Sequence, residues 1–214
     1  MTDHPPGPLV DEDPIEPADN RMMSPTLRFN PHDISDIAAR YGYSAGDGPL
    51  LAMRPEVKKR GCLCLAELHE VAKWKAPRSA GHVRKNSEAY VAEITSFALA
   101  AQCERSRIES LTLLDGVGWP MASVILHVFH ADPYPLLDYR ALWSVSLPVP
   151  AQYSFAFWQR YVEFCRDIAA TAGVDMRALD RALWQYSKEN QVNESGRGHG
   201  RDIAEGLERR LANP

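Results

Sequence analysis

The chain has 214 residues, of which 45% are hydrophobic and 24% charged, a composition typical of a globular protein. It contains no run of about 18 apolar residues, and its first 20 residues lack the basic and apolar segments of a secretory signal. The sequence therefore predicts no membrane span, a cytoplasmic location, and one core or two small lobes around a cleft.

The net charge of −4 is unevenly distributed. Residues 1–20 hold six acidic and no basic side chains, so the remaining residues together carry +2. Residues 58–85 hold eight basic side chains against Glu67 and Glu70. This basic segment can supply phosphate contacts, although a solvated basic face explains it equally well when the segment is taken alone.

Four cysteines occur, at positions 62, 64, 103 and 165. In a cytoplasmic chain we expect them to be buried thiols rather than disulfides. Cys62 and Cys64 have no second close pair to complete a zinc or iron–sulfur centre. The sequence therefore predicts no metal centre and no cofactor.

In chain order, residues 1–28 are acidic and rich in proline, which predicts a disordered tail. The following residues, 29–190, predict a single all-α domain, because their apolar positions have helical spacing. Residues 191–214 predict a polar extension, with a short charged helix expected at 201–211. Predicted helices of the domain are 31–41, 49–59, 62–75, 88–101, 104–114, 119–130, 138–146, 151–172 and 175–189.

Several helices have recognisable ends. Ser87 and Asp175 are typical first-turn caps, and Pro120 suits the first turn of a helix because its missing N–H needs no partner there. Gly173 is a typical stop for the long helix before it.

Residues 107–130, RIESLTLLDGVGWPMASVILHVFH, predict two helices joined by a tight glycine-containing turn. Gly116 and Gly118 permit backbone conformations and close approaches that a side chain hinders, while Val117 can turn inward between the helices. The amides that begin the second helix favour an anion, of which a DNA phosphate is the natural example. Alternatively, the segment is only a glycine-rich turn between two ordinary helices.

The downstream segment DPYPLLDYRALWSVSLP places Asp138 after an apolar, proline-containing loop and at the start of the next helix. Together, residues 107–147 resemble the core of the helix-hairpin-helix (HhH-GPD) DNA glycosylase superfamily. This superfamily includes endonuclease III, adenine–DNA glycosylase, the 3-methyladenine glycosylases and 8-oxoguanine glycosylase. The resemblance covers roughly a fifth of the chain. It implies a two-lobed helical fold in which DNA lies across the cleft and the hairpin grips the strand backbone.

The resemblance assigns the catalytic carboxylate to Asp138. A fixed anion stabilises the positive charge that develops on deoxyribose as the base leaves, and it can orient a water molecule. The nucleotide must first be flipped out of the duplex. An aspartate that opens a helix is also commonly just a cap, so this second interpretation of Asp138 stays open.

Further roles follow from the same resemblance. Tyr139 and Trp143 are candidates for the base pocket, and backbone oxygens of Thr112, Leu114 and Val117 are candidates for a monovalent cation. Arg140 either pairs with Asp138 or reaches a phosphate, the salt bridge being the favoured alternative. The expected DNA-binding residues are Gly116, Val117, Gly118, Trp119, Met121, Ala122, Lys73, Trp74, Lys75, Arg78 and Arg140.

The sequence departs from the superfamily in three ways. Pro120 stands where bifunctional members carry the hairpin lysine that forms a Schiff base, so we expect no lysine-dependent lyase. No four-cysteine loop follows Cys165, and the usual glycine or proline before the aspartate is replaced by leucine at 136 and 137.

The expected function is therefore that of a monofunctional DNA glycosylase in base excision repair, with DNA as its partner. Two alternatives remain: a non-catalytic helix-hairpin-helix DNA-binding protein, and a helical interaction protein in which the glycine turn is structural only.

Overall fold

The computed structural model of the chain describes residues 24–43 and 46–191. Within these ranges the regular structure consists of nine α-helices and two 3-10 helices, without strands, so the all-α prediction is confirmed. The 3-10 helices span Pro31–Asp33 and Ala80–Lys85. The α-helices are α1 (Ile34–Ala39), α2 (Gly48–Arg60), α3 (Leu65–Lys75), α4 (Glu88–Ala100), α5 (Glu104–Leu111), α6 (Trp119–Phe129), α7 (Tyr139–Ser144), α8 (Phe155–Ala172) and α9 (Met176–Asn190).

The predicted helix ends follow from local chemistry and are confirmed. The Ser87 hydroxyl accepts a hydrogen bond from the amide of Tyr90, and the Asp175 carboxylate accepts one from the amide of Ala178. Gly173 ends α8 in the left-handed conformation, with a φ of 66°. The 3-10 helix at Ala80–Lys85 was not predicted, because a helix of six residues is too short to show an amphipathic period.

Helix α6 lies at the centre of one group of helices, where it packs against α2, α3 and α5. Seven of its eleven residues are buried, as its almost wholly apolar sequence dictates. In a second group, α9 packs against α1, α7 and α8, and a contact between α5 and α8 joins the groups. One continuous hydrophobic core includes residues from both groups.

The loop between α6 and α7 is held by three helices. The amide of Leu137 donates to the Ser123 hydroxyl of α6 over 2.8 Å. The carbonyl of Leu136 accepts from the Tyr161 hydroxyl of α8 over 2.9 Å, and its amide donates to Asp180 of α9 over 3.3 Å. These bonds fix the backbone immediately before Asp138.

The first described residues belong to the folded domain, which corrects the predicted boundary of the tail at residue 28. The amides of Thr26 and Arg28 donate to the carbonyls of Val145 and Ser144, each over 2.9 Å. The Arg28 guanidinium lies 4.6 Å from the ring centroid of Trp143. Residues 1–23 and 192–214, including the helix predicted at 201–211, lie outside the described residues.

Two further findings concern the four cysteines and the lengths of the helices. All four cysteines are free thiols, but only Cys165 is buried, and Cys103 is exposed, so the expectation of buried thiols was wrong for three of the four.

Among the described helices, none combines the length and the apolar character needed to cross a bilayer.

Candidate active site

A cavity with an empty volume of about 400 Å³, including its mouth, lies beside Asp138. Its walls come from the segment before α2, from the C-terminal end of α3, from the loop into α7, and from α9. The lining residues are Tyr41, Tyr43, Trp74, Lys75, Leu136, Asp138, Ala141, Asp180 and Trp184.

Four aromatic rings form much of the cavity wall and brace one another. Tyr43 meets Trp74 edge to face at a centroid distance of 5.3 Å, and Trp184 meets Tyr41 in the same manner, also at 5.3 Å. The indole N–H of Trp74 donates to the carbonyl of Gly46 over 2.6 Å, while the Tyr43 hydroxyl donates to the carbonyl of Trp74 over 2.9 Å. These contacts hold a polarisable, largely apolar surface of the kind on which a planar ring stacks.

Asp138 is the N-cap of α7, and its side chain is only 23% exposed. One carboxylate oxygen, Oδ1, accepts the backbone N–H of Arg140 over 2.9 Å, and the other, Oδ2, accepts Lys75 Nζ over 3.0 Å. Burial by itself raises the pKa of this carboxyl group, but Lys75 and the Arg140 amide outweigh burial and hold the pKa below its ordinary value of 3.8. Asp138 is therefore an anion at neutral pH, fixed in orientation by two donors.

Lys75 is the last residue of α3, and its side chain is only 14% exposed. Val71 and Ala72 on the same helix are fully buried, so the final turn of α3 is anchored in the core. The long side chain then extends from this turn into the cavity, where it meets Asp138.

Asp180, a second carboxylate, also lines the cavity and is almost fully buried. Burial raises its pKa, against the opposing effects of His127 and Arg177, whose Nη1 lies 2.6 Å from Oδ2. Arg177 also pairs with Asp47, which in turn accepts a hydrogen bond from Arg181 over 2.8 Å. This ionic network attaches the segment before α2 to α9 and so positions Tyr41 and Tyr43 near Trp184.

The turn that joins α5 and α6 packs on one side against the 3-10 helix at Ala80–Lys85. Gly116 has a φ of +79°, and a Cβ atom built on it would lie 2.9 Å from both the Cβ of His82 and the amide nitrogen of Val83. The buried side chain of Asn86 accepts the Asp115 amide over 2.9 Å and donates to the Asp115 carbonyl over 3.0 Å. The predicted need for glycine is thus confirmed at position 116.

Gly118 differs from Gly116. Its φ of −90° and ψ of 178° are open to any residue, and a Cβ atom at this position would have Pro120 Cδ as its nearest neighbour, at 3.9 Å. The fold itself therefore does not require glycine at position 118, and the space beside it is open.

Some backbone N–H groups of this turn donate hydrogen bonds within the protein, and others do not. Val117 is buried as predicted, but its amide donates to the carbonyl of Leu114, and the amide of Ala122 donates to the carbonyl of Gly118. These two amides are therefore used within the turn, and the predicted DNA contacts of Val117 and Ala122 stay a prediction. Within the described ranges the amides of Gly116, Gly118, Trp119 and Met121 donate to no protein acceptor. The suggested cation at Thr112, Leu114 and Val117 stays a prediction.

The two aromatic residues predicted for the base pocket, Tyr139 and Trp143, do not line this cavity. Trp143 is covered by Arg28 and faces Tyr186, with a centroid distance of 6.0 Å. Tyr139 is 45% exposed and does not line the cavity. On α7 the residues that face the cavity are Asp138 and Ala141, three positions apart, and helical geometry turns positions 139 and 143 away from that direction.

Arg140 does not form the expected salt bridge to Asp138 through its side chain. Its guanidinium lies over the rings of Tyr139 and Trp184, at 5.1 and 5.5 Å from their centroids, and its backbone N–H makes the contact to Asp138. The side chain thus lies near the cavity wall rather than on the carboxylate.

Of the predicted basic residues, the structure brings only Lys75 to the cavity. Lys73 is half exposed and pairs with Glu70 over 2.7 Å, and Arg78 is exposed. Trp74 lies in the cavity wall, and Trp119 is partly buried, 6.4 Å from the ring of Trp158.

Sequence reasoning missed six residues of the cavity wall: Tyr41, Tyr43, Leu136, Ala141, Asp180 and Trp184. A usable indication existed for two of them. Asp180 and Trp184 are four positions apart on α9, so they share a face, and an acidic residue on the apolar side of an amphipathic helix is itself unusual.

Comparison with protein-family models, with curated proteins and with solved structures found no match to this chain.

Proposed function

We propose that this protein is a DNA glycosylase of the helix-hairpin-helix type, which hydrolyses the N-glycosidic bond of a damaged or modified base. In this proposal the two helix groups form lobes that receive DNA between them. The observation that carries the proposal is the Asp138 carboxylate, ionised and fixed by two donors in the wall of an aromatic-lined cavity.

The aromatic rings suit the first step. A base rotated out of the duplex loses its stacking partners, and Tyr43, Trp74 and Trp184 offer ring surfaces that can replace them. The partly enclosed cavity also keeps bulk water away from the sugar, which strengthens electrostatic interactions at the reacting carbon.

Asp138 suits the second step. Departure of the base leaves positive charge on C1′ and O4′ of the sugar, and an adjacent carboxylate stabilises that charge. Since hydrogen bonds to Arg140 N–H and Lys75 already fix the carboxylate, little reorganisation is needed during the reaction. The same anion can orient the water molecule that attacks C1′.

The hairpin suits the positioning of the strand. The open amides at Gly118 and Trp119 begin α6, and a phosphate there gains both hydrogen bonds and the favourable end of the helix dipole. Ser123 lies four residues later, about 6 Å along the helix, and bonds directly to the residue before Asp138. The phosphate site and the carboxylate are thus attached to one rigid element.

The test is single-turnover base release from duplexes that each contain one damaged base, comparing the wild type with Asp138→Asn. Asparagine keeps the shape and can still accept the Arg140 amide, but it lacks the charge, so release should fall roughly a hundredfold to a thousandfold. Asp167→Asn, at an exposed position on α8, is the matched control and should release base at the wild-type rate.

The same experiment separates the alternatives. Salt-dependent binding to DNA without release of any base would identify a non-catalytic DNA-binding protein. Failure to bind DNA at any salt concentration would identify a helical interaction protein.

A further inference from the structure

Ser123 lies in the second turn of α6, and its side chain is fully buried. Its hydroxyl donates a hydrogen bond to the carbonyl of Pro120 over 2.8 Å and accepts one from the amide of Leu137, also over 2.8 Å. A single oxygen atom therefore connects the first turn of α6, where the proposed phosphate site lies, to the residue before Asp138.

This pair of bonds holds the loop at Leu137. A serine hydroxyl has one hydrogen to donate, and Pro120 takes it, so the lone pairs of the oxygen are left for the amide of Leu137. Leu137 is fully buried as well, so bulk water offers its amide no substitute acceptor. Without the hydroxyl, the loop would have to move or leave a buried N–H without an acceptor, which is costly.

The other hydrogen bonds to this loop act from different positions. The two bonds to Leu136 come from α8 and α9, so they do not fix the loop relative to the helix of the hairpin. His127 of α6 contacts the carbonyl of Tyr134, but that residue is four positions before Asp138. Among these bonds, Ser123 thus provides the link to α6 that lies nearest to Asp138 in the chain.

The carboxylate of Asp138 responds to the position of Leu137. Its Oδ2 atom contacts Lys75 of α3 over 3.0 Å, and the helical turn that carries Lys75 is anchored in the core. A shift of the loop therefore changes the distance of the carboxylate from the ammonium group and from the start of α6. A displacement of about 1 Å at a reacting group can lower a rate about a hundredfold.

We infer that Ser123 is a positioning residue, whose hydroxyl holds the Asp138 carboxylate at a fixed distance from a DNA strand bound at the start of α6. The inference rests on the proposed function for its substrate, but the dependence of the position of Asp138 on Ser123 is a separate claim. Ser123 acts through Leu137 and needs no contact with DNA. It should therefore affect the rate of base release and leave the affinity for DNA unchanged.

Thr95 offers a matched control, because it makes the same pair of bonds elsewhere in the fold. This fully buried residue of α4 donates to the carbonyl of Val91 over 2.7 Å and accepts the amide of Leu63 over 2.9 Å. It does not line the cavity. Thr95→Val and Ser123→Ala thus remove equivalent hydroxyl groups, but only Ser123→Ala removes one that is bonded to the residue before Asp138.

The first test measures the pKa of the Asp138 carboxyl group in the full chain by carbon-13 NMR, with Asp138→Asn to assign its signal. In Ser123→Ala the pKa should rise by about 1, because the carboxylate moves away from Lys75 while burial still favours the neutral form. In Thr95→Val it should equal that of the wild type. Both variants keep all the titratable groups that interact with Asp138, which are Lys75, Arg140, Asp180, Tyr43, Tyr153 and Tyr161.

The second test measures single-turnover base release and DNA affinity on the same duplexes. Ser123→Ala should release base roughly tenfold to a hundredfold more slowly than the wild type, with the same affinity for the duplex. Thr95→Val should match the wild type in both measurements.

An Asp138 pKa in Ser123→Ala equal to that of the wild type would overturn the inference, as would a normal rate or a weakened affinity for DNA in that variant. Rapid hydrogen exchange at the Leu137 amide of the wild type would also overturn it, and this measurement needs no variant to fold. Base release that Ser123→Ala leaves unaffected would keep the proposed glycosylase and remove only the role of Ser123. A raised pKa in Ser123→Ala, without base release by any of the proteins, would support that role and contradict the glycosylase.

Discussion

The pair of Asp138 and Lys75 is the most informative feature at the scale of single residues. Each side chain is largely buried, and each neutralises the charge of the other in a site that also contains Asp180. A buried carboxylate without such a partner would take up a proton more readily. The lysine is therefore the largest of the influences that keep the aspartate ionised, with the Arg140 amide assisting it.

This dependence predicts the acid side of the pH profile. Because the pKa of Asp138 is held below 3.8, base release by the wild type should stay level from neutral pH down to about pH 5. Lys75→Met removes the stabilising cation and leaves burial to raise the pKa of Asp138, so release should decline at a higher pH than in the wild type. Single-turnover rates across pH measure both curves.

If base release declined at the same pH in the wild type and in Lys75→Met, Lys75 would not control the charge of Asp138.

The direction of this pKa shift also affects the stability of the fold. The lowered pKa means that the ion pair stabilises the fold above the ordinary aspartate pKa, and that this contribution is lost as the pH falls through the lowered value.

At the scale of elements, the hairpin between α5 and α6 contains two glycines with different roles. Gly116 is required by the fold, since its φ is positive and the 3-10 helix lies against it. Gly118 is at a cap position with an ordinary backbone conformation and open space around it. Substitutions can therefore separate the stability of the turn from its binding function.

Gly116→Ala should destabilise the protein by about 2 kcal/mol or more, because left-handed backbone strain adds to the collision with His82 and Val83. Urea denaturation measures the free energy of unfolding. Gly81→Ala is a suitable control, since a Cβ at Gly81 meets nothing within 4 Å. Equal stability of the two variants would mean that the turn adjusts without cost.

Gly118→Ser should weaken the binding of DNA without destabilising the fold. Serine is a favoured N-cap, and its hydroxyl can accept the amide of Met121, which the proposed phosphate would otherwise use. We expect the melting temperature to be unchanged or higher, while the affinity for duplex DNA falls about tenfold. Unchanged affinity, measured by fluorescence anisotropy at fixed salt, would remove the hairpin from the proposed DNA interface.

At the scale of the whole molecule, charge is divided between a strongly acidic N-terminal segment and a mildly basic remainder. Residues 1–20 carry −6, and residues 21–214 carry +2. The described chain begins a few residues later, with backbone bonds from Thr26 and Arg28 to the end of α7. The acidic segment is thus attached close to the folded domain and contributes to its long-range field.

Removal of residues 1–20 should strengthen binding to DNA several-fold at low salt, since six negative charges no longer repel the phosphates. The difference should vanish near 1 M salt, where charges are screened within about 3 Å. Thermal melting serves as the control and should be unchanged, because the bonds of Thr26 and Arg28 remain. Equal affinity of the two proteins at low salt would contradict this prediction.

Local chemistry determined the elements of this protein. Several features depend only on neighbours within a few residues, and they were predictable for that reason. They are the helix ends at Ser87, Gly173 and Asp175, the proline at the start of α6, and the inward position of Val117. The capping position of Asp138 was also readable from its place before an apolar helix.

Only the tertiary structure decided which side chains surround that aspartate. Helical periodicity shows which residues share a face, but it does not show which face of another helix will meet them. The residues around the site come from three distant parts of the chain, as Tyr41, Lys75 and Trp184 show. Trp143 is close to Asp138 in sequence, but it lies outside the site, where Arg28 covers its ring. The aromatic cavity and its lysine exist because these long-range contacts form.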